Sequence, residues 1–132
     1  MIVLETSAMV EFLVGSDPVA DRVRDALSGQ AIAAPHSIDL ECASTLRGLV
    51  SGHKLPADEA ARALDLLSRM NIQRYGHVAL LPRIWQLREN AWPCDAAYMA
   101  LAESLNADLI TVDGKFEAVP GLRCLVRNLR DR

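Results

Sequence analysis

The sequence specifies an α/β fold: one domain with a short parallel sheet flanked by helices. Three observations lead there. Short apolar runs alternate with helical segments along the whole chain, the order that builds a parallel sheet covered on both faces. The 132 residues are 51% hydrophobic, enough for one sizeable core. No internal repeat, low-complexity tract or linker divides them, so a single domain is expected over residues 1–132.

The elements follow in order. Ile2-Val3-Leu4 is short, apolar and rich in β-branched residues, and reads as the first strand. Thr6 or Ser7 can cap the helix that carries Ala8, Met9, Val10, Phe12 and Leu13. Gly15-Ser16-Asp17-Pro18 breaks it; Asp17 caps the next helix, with Pro18 in its first turn, and that helix runs to about Gly29. Ala31-Ile32-Ala33-Ala34 is a second strand, stopped by Pro35. Ser37 caps a helix reaching about Ser51-Gly52, and Pro56 opens another with Ala60, Ala63, Leu64 and Leu67 on its apolar face. Asn71-Ile72-Gln73-Arg74 reads as a short edge strand. Helices near 77–90 and 95–106 come next, then a strand from Asp108 to Val112, a helical turn near 114–118 and a last strand near 123–126.

Composition narrows the function classes. No window of 18 uninterrupted apolar residues exists, so no membrane span is expected. The start, Met1-Ile2-Val3-Leu4-Glu5, has no basic segment before its apolar run, which argues against a secretory signal. Cys42, Cys94 and Cys124 are odd in number and widely spaced, which fits a reduced cytoplasmic protein better than a disulfide framework or a zinc site. The net charge of −3 runs against a broadly basic nucleic-acid-binding face but leaves room for a local patch.

Four of the 17 acidic residues stand apart from a solvated surface. Glu5 directly follows the first strand, and Asp113 directly follows the strand ending at Val112; in an open α/β sheet, ligands bind beyond the carboxyl ends of the strands. Glu41 falls on the helical stripe made by Ile38, Cys42, Thr45, Leu46 and Leu49, where a carboxylate is costly unless paired, protonated or metal-bound. Asp95 follows Pro93-Cys94 at the start of an Ala-rich helix. Each has an ordinary alternative: a turn or cap for Glu5 and Asp113, an ion pair with a group such as Arg47 for Glu41, a helix cap for Asp95. Together they form an oxygen-donor set suited to a hard divalent cation such as Mg²⁺, for which one or two direct carboxylates suffice, and which would turn bound water into a nucleophile and stabilise charge on a phosphate.

The motifs are familiar as a group. Ile2-Val3-Leu4-Glu5-Thr6-Ser7-Ala8 resembles the opening of PIN-domain ribonucleases, Asp95-Ala96-Ala97-Tyr98-Met99-Ala100-Leu101-Ala102-Glu103 resembles their later motif, and Thr111-Val112-Asp113-Gly114-Lys115-Phe116 the one after it. Glu41, with Leu46-Arg47 beyond it, is similar to the family's mid-chain Glu. The order, spacing and length resemble the VapC toxins of bacterial toxin–antitoxin pairs. The resemblance implies a PIN-like three-layer fold and an Mg²⁺- or Mn²⁺-dependent endoribonuclease acting on structured RNA such as tRNA or rRNA. It also implies a homodimer and a VapB-type antitoxin that blocks the acidic site. Its site would comprise Glu5, Glu41, Asp95 and Asp113.

One position departs from the family. Its first acid is normally Asp, and this chain has Glu5, whose extra methylene moves the carboxylate by about 1.5 Å. Misplacement on that scale costs about 100-fold in rate where geometry is strict. A catalytically impaired regulator or binding module of the same fold is therefore the alternative reading. A phosphotransfer enzyme is a more distant one, since it would need an Asp nucleophile at that place. Thr6, Ser7 and Thr111 can orient a carboxylate from behind, and Arg47 and Lys115 lie close enough in sequence to site acids to contact RNA phosphate. Arg22, Arg24, Arg83 and Arg88 either extend a basic rim or are ordinary solvated charges. Trp85 and Trp92 bracket a helix and either fill the core or face a second subunit or the antitoxin.

Overall fold

A computed structural model describes residues 1–130, and within them five strands are separated by three pairs of α-helices and, before the last strand, by a 3-10 turn. The strands are β1 (Ile2–Leu4), β2 (Ile32–Pro35), β3 (Ile72–Tyr75), β4 (Asp108–Thr111) and β5 (Val126–Asn128); the helices are α1 (Thr6–Val14), α2 (Pro18–Leu27), α3 (Ile38–Ser51), α4 (Ala57–Arg69), α5 (Leu81–Gln86) and α6 (Pro93–Leu105). Every strand pair is parallel, and the order across the sheet is β3-β2-β1-β4-β5. The α/β class and parallel sheet expected from the sequence are therefore what the chain forms.

That order places the functional edge. From β1 the chain steps outward to β2 and β3, then returns past β1 to β4 and β5, so the direction of winding reverses between β1 and β4. Loops leaving such adjacent strands part to opposite faces and open a crevice at their carboxyl ends. Glu5 leaves β1, and Asp113 lies two residues beyond β4, so both stand at this point. Packing follows the same division: α1 contacts α2, α3 and α4, whereas α5 packs on α6, which lies along β1, β2 and β4. Right-handed crossovers put these two groups on opposite faces, giving three layers.

The sheet centre is fully apolar: Val3, Leu4, Ala33, Ala34, Leu109 and Ile110 are all 0% exposed. Helix α6 is buried continuously from Ala96 to Leu101, and its alanines let it lie close to the sheet. Pro93 in its first turn needs no hydrogen-bond donor there, and Asn106 ends it in a left-handed conformation, φ 51°. No helix among the described residues is long and apolar enough to cross a membrane.

Several local expectations change. The helix expected near 77–90 is a 3-10 turn, Val78–Leu80, followed by the six-residue α5. Pro82 explains the break, because inside one continuous helix its ring would clash with the carbonyl four residues earlier. The final strand begins at Val126, later than expected, because its register is set by pairing Leu109 with Val126 and Thr111 with Asn128. Buried Asn128 also anchors it by donating to Glu117 Oε1 at 2.7 Å. Glu5, not Thr6 or Ser7, caps α1, and Trp92, not Asp95, occupies the cap position of α6. Ser37 holds the cap position of α3 but its side chain makes no cap hydrogen bond. Trp85 and Trp92 are 67% and 78% exposed, which rules out the core reading for both.

Candidate active site

Three acids from three separate elements reach one open cavity of about 570 Å³: Glu41 from α3, Asp95 from the first turn of α6 and Asp113 from the end of β4, with Glu5 lining it beneath. Thr6, Ser7 and Lys115 share the lining. Thr111 is fully buried behind it, and Arg47, exposed on α3, does not line it. The cavity therefore gathers all the acids singled out from the sequence, and of the two basic residues only Lys115.

Glu41 is held by two hydroxyl donors. Ser37 Oγ, one turn earlier on α3, donates to its Oε1 at 3.0 Å, and Tyr98 donates to the same oxygen at 2.9 Å. A phenol has one proton; with it committed to Glu41, Thr6 Oγ1 at 2.8 Å donates to the Tyr98 oxygen. A chain of donors thus runs from Thr6 through Tyr98 to Glu41. Burial first, and then the charge on Glu41, drive the Tyr98 phenol far above its ordinary pKa, so it stays protonated and a donor. No basic side chain pairs with Glu41 among the described residues, so the ion pair with Arg47 does not form. Ser37 and Tyr98 were not singled out from the sequence as site residues. Tyr98 carried a signal: it lies three residues after Asp95, on the same side of α6.

Glu5 behaves differently. Only 5% exposed, its carboxylate accepts the Ser7 N–H at 2.8 Å on Oε2, and the Ser7 and Thr111 hydroxyls at 2.5 and 2.6 Å on Oε1. The long side chain folds back to cap its own helix and tie β1 to β4. Burial raises its pKa; the Ser7 and Thr111 hydrogen bonds oppose that, and the nearby Asp113 charge reinforces it.

Asp95 and Asp113 face one another across a cation. Lys115 Nζ lies 3.1 Å from Asp95 Oδ2 and 3.4 Å from Asp113 Oδ2. The Lys115 backbone N–H also donates to Asp113 Oδ1 at 3.0 Å. Asp95 sits at the positive end of the 13-residue α6, where the helix dipole favours a carboxylate.

The donor set suits a hard divalent ion: carboxylate oxygens with hydroxyls behind them, and no histidine in the lining. As the side chains stand, no three Asp, Glu, His or Cys residues among those described converge tightly enough to hold one ion. A pair does, because Asp95 and Asp113 already share the Lys115 ammonium, and an Mg²⁺-like ion that keeps most of its waters needs only one or two carboxylates. The residues present therefore fit such an ion.

Three of the arginines singled out from the sequence are engaged within the fold. Arg83 forms a two-pronged pair with Glu103 at 2.8 and 3.1 Å and donates to the Gly121 carbonyl, while Arg22 and Arg24 tie down backbone carbonyls. Arg88 lies over the exposed Trp85 ring, 4.7 Å from its centre.

Known proteins resemble this chain along nearly its whole length. The chain matches the PIN domain family over residues 2–122. Ribonuclease VapC1 of Mycobacterium tuberculosis is 36% identical over 129 residues, covering 97% of each chain. Ribonuclease VapC9 of the same organism is 36% identical over 124 residues, covering 94% of each. Among solved structures, VapC20 of Mycobacterium tuberculosis superposes with a TM-score of 0.70 at 14% identity, covering 92% of this chain and 96% of the other. VapBC2 of Rickettsia felis, bound to a promoter DNA fragment, gives 0.70 at 18% identity, covering 97% and 98%.

Proposed function

The chain belongs to the PIN-domain family, in its VapC branch, and on that premise we propose that it is a divalent-metal-dependent endoribonuclease, the toxin of a toxin–antitoxin pair. One observation carries the reading: Glu41, Asp95 and Asp113, from elements far apart in sequence, line one cavity at the point where the winding of the sheet reverses. Asp95 and Asp113 would hold Mg²⁺ or Mn²⁺, with Glu41 beside them. When bound, such an ion makes water more acidic and offsets charge on a phosphate. The protein's own contribution is to fix Glu41 through Ser37 and Tyr98, and to hold Asp95 at the head of a buried, rigid helix.

One structural neighbour is described as a sarcin–ricin loop cleaving toxin. Structured RNA of that general kind, ribosomal or transfer RNA, is the substrate class we propose, with Lys115 as the phosphate contact nearest the acids. Toxin–antitoxin complexes among the structural neighbours support a VapB-type antitoxin as partner. The exposed Trp85 and Trp92 offer an apolar surface for a homodimer contact. The free thiols of Cys42, Cys94 and Cys124 suit a reducing, cytoplasmic location.

The deciding experiment incubates purified protein with transfer and ribosomal RNA and Mn²⁺, with chelator and Glu41→Ala as controls. Metal-dependent cleavage that is lost in Glu41→Ala supports the reading. Cleavage unchanged by that substitution removes Glu41 from the site. A second reading, a catalytically impaired regulator, is favoured by the carboxylate of Glu5, which is engaged by Ser7 and Thr111. No cleavage of any RNA under these conditions would select it.

A further inference from the structure

We propose that Lys115 is an exchangeable internal counter-ion: its ammonium neutralises Asp95 and Asp113 until a divalent cation takes that place, and is then released toward the cavity mouth. The inference rests on the metal-binding reading above and adds the residue against which the metal competes.

The geometry carries it. Lys115 is the one basic side chain in the cavity lining among the described residues, and its Nζ sits between the two carboxylates at 3.1 and 3.4 Å. Both Asp113 oxygens are engaged by this single residue, Oδ1 through the backbone N–H and Oδ2 through the ammonium. Without a cation there, Asp95, whose side chain is only 17% exposed, would face Asp113 across a short gap with two like charges. An ammonium and a small divalent ion want the same oxygens, and a site built for one is occupied by the other only through competition.

The lysine is also able to leave. Its side chain is 54% exposed, and its flexible stem springs from a short 3-10 turn at the surface. The backbone bond to Asp113 Oδ1 does not depend on where the ammonium lies, so Asp113 stays oriented when Nζ swings away. A released Nζ remains within one side-chain length of the acids, where a phosphodiester approaching the cavity would meet it. One residue would thus hold the empty site together and contact the substrate once the site is loaded.

Mn²⁺ binding to the full chain, followed by calorimetry or by the electron paramagnetic resonance of free Mn²⁺, tests this without reference to cleavage. Lys115→Gln should bind Mn²⁺ about five- to tenfold more tightly than the native chain, the scale of one partly exposed ion pair lost from the competition. Lys115→Arg, which keeps the charge, should stay close to native, and Asp95→Asn should bind weakly. Acylation of the Lys115 amine, read by mass spectrometry, should quicken when Mn²⁺ is added, while Lys54, the chain's only other lysine, serves as the unchanged reference. Equal Mn²⁺ affinity in native and Lys115→Gln proteins, or acylation unaffected by saturating Mn²⁺, overturns the exchange while leaving the metal site intact. No Mn²⁺ binding by either protein overturns both.

Discussion

Replacing Tyr98 by Phe removes one oxygen and leaves the ring that packs α6 against the sheet. The residue is 0% exposed, and its hydroxyl lies between Thr6 Oγ1 at 2.8 Å and Glu41 Oε1 at 2.9 Å. Two costs follow. A hydrogen bond to a carboxylate is lost, about 1.5–3 kcal/mol in typical series, and the Thr6 hydroxyl, 9% exposed, loses its acceptor. Against these stands relief from burying the phenol oxygen, so a net loss of about 2 kcal/mol is expected at neutral pH. With a urea slope near the middle of the usual range, that lowers the unfolding midpoint by roughly 1 M. Ser37→Ala removes the other donor to Glu41 from a less buried position and should cost about 1 kcal/mol. Cleavage by Tyr98→Phe should fall about tenfold, the usual cost of losing a group that orients a site carboxylate. The assay is equilibrium urea unfolding of the native chain, Tyr98→Phe, Glu41→Ala and the double variant, with cleavage of the native and Tyr98→Phe chains measured on the same samples. If Tyr98→Phe unfolds at the native midpoint, or if its effect is unchanged in the Glu41→Ala background, the donor chain from Thr6 to Glu41 does not hold Glu41.

Three further outcomes are expected. Glu5→Asp should lower stability by about 1–2 kcal/mol, because a shorter side chain keeps the cap on Ser7 but no longer reaches Thr111; it should also raise the cleavage rate, by up to about 100-fold, and an unchanged rate would show that Glu5 does not limit the site. Arg83→Gln should cost about 2 kcal/mol at neutral pH, between an exposed and a buried pair, since the side chains of Arg83 and Glu103 are 19% and 9% exposed. Burial alone would raise the Glu103 pKa, but Arg83, the Arg123 backbone N–H and the charges on both arginines hold it below its ordinary 4.5. A depressed carboxylate stabilises the fold above its unfolded value, so the native advantage over Arg83→Gln should be complete above about pH 4.5 and shrink as pH falls below it; a difference that is flat with pH refutes the pairing. Thiol labelling at pH 8 should modify exposed Cys94 first and half-buried Cys124 later; Cys42, buried and with its pKa pushed up to about 12, should react only on unfolding, which mass spectrometry would resolve site by site.

Much of this protein was legible in the residue order. The alternation of apolar runs and helical segments specified the α/β class, because both periodicities are local properties of the chain. The places of Glu5 and Asp113 beyond strands, and of Glu41 on an apolar stripe, followed from the same periodicities. Local signals left two readings open at single residues, and for Asp95 taken alone they favoured the cap. Asp95 looked like a helix cap, yet Trp92 takes that position and leaves the carboxylate facing the cavity. Thr6 and Ser7 looked like caps too, yet Glu5 caps the helix and their hydroxyls turn to Tyr98 and Glu5.

Which acids are held, and by what, belonged to the tertiary structure alone. Thr6, Glu41 and Tyr98 lie on three different helices, 57 residues separating Glu41 from Tyr98 and 92 separating Thr6 from Tyr98, and no pattern along the chain says that their hydroxyls and carboxylate meet. Hydrogen bonds act over about 3 Å, so they are decided only when packing has set the helices against one sheet. The sequence determined which residues could do chemistry and on which edge of the sheet they would stand. The fold decided that Glu5 would be tied back by Ser7 and Thr111, that Glu41 would be aimed by Ser37 and Tyr98, and that Lys115 would lie between Asp95 and Asp113.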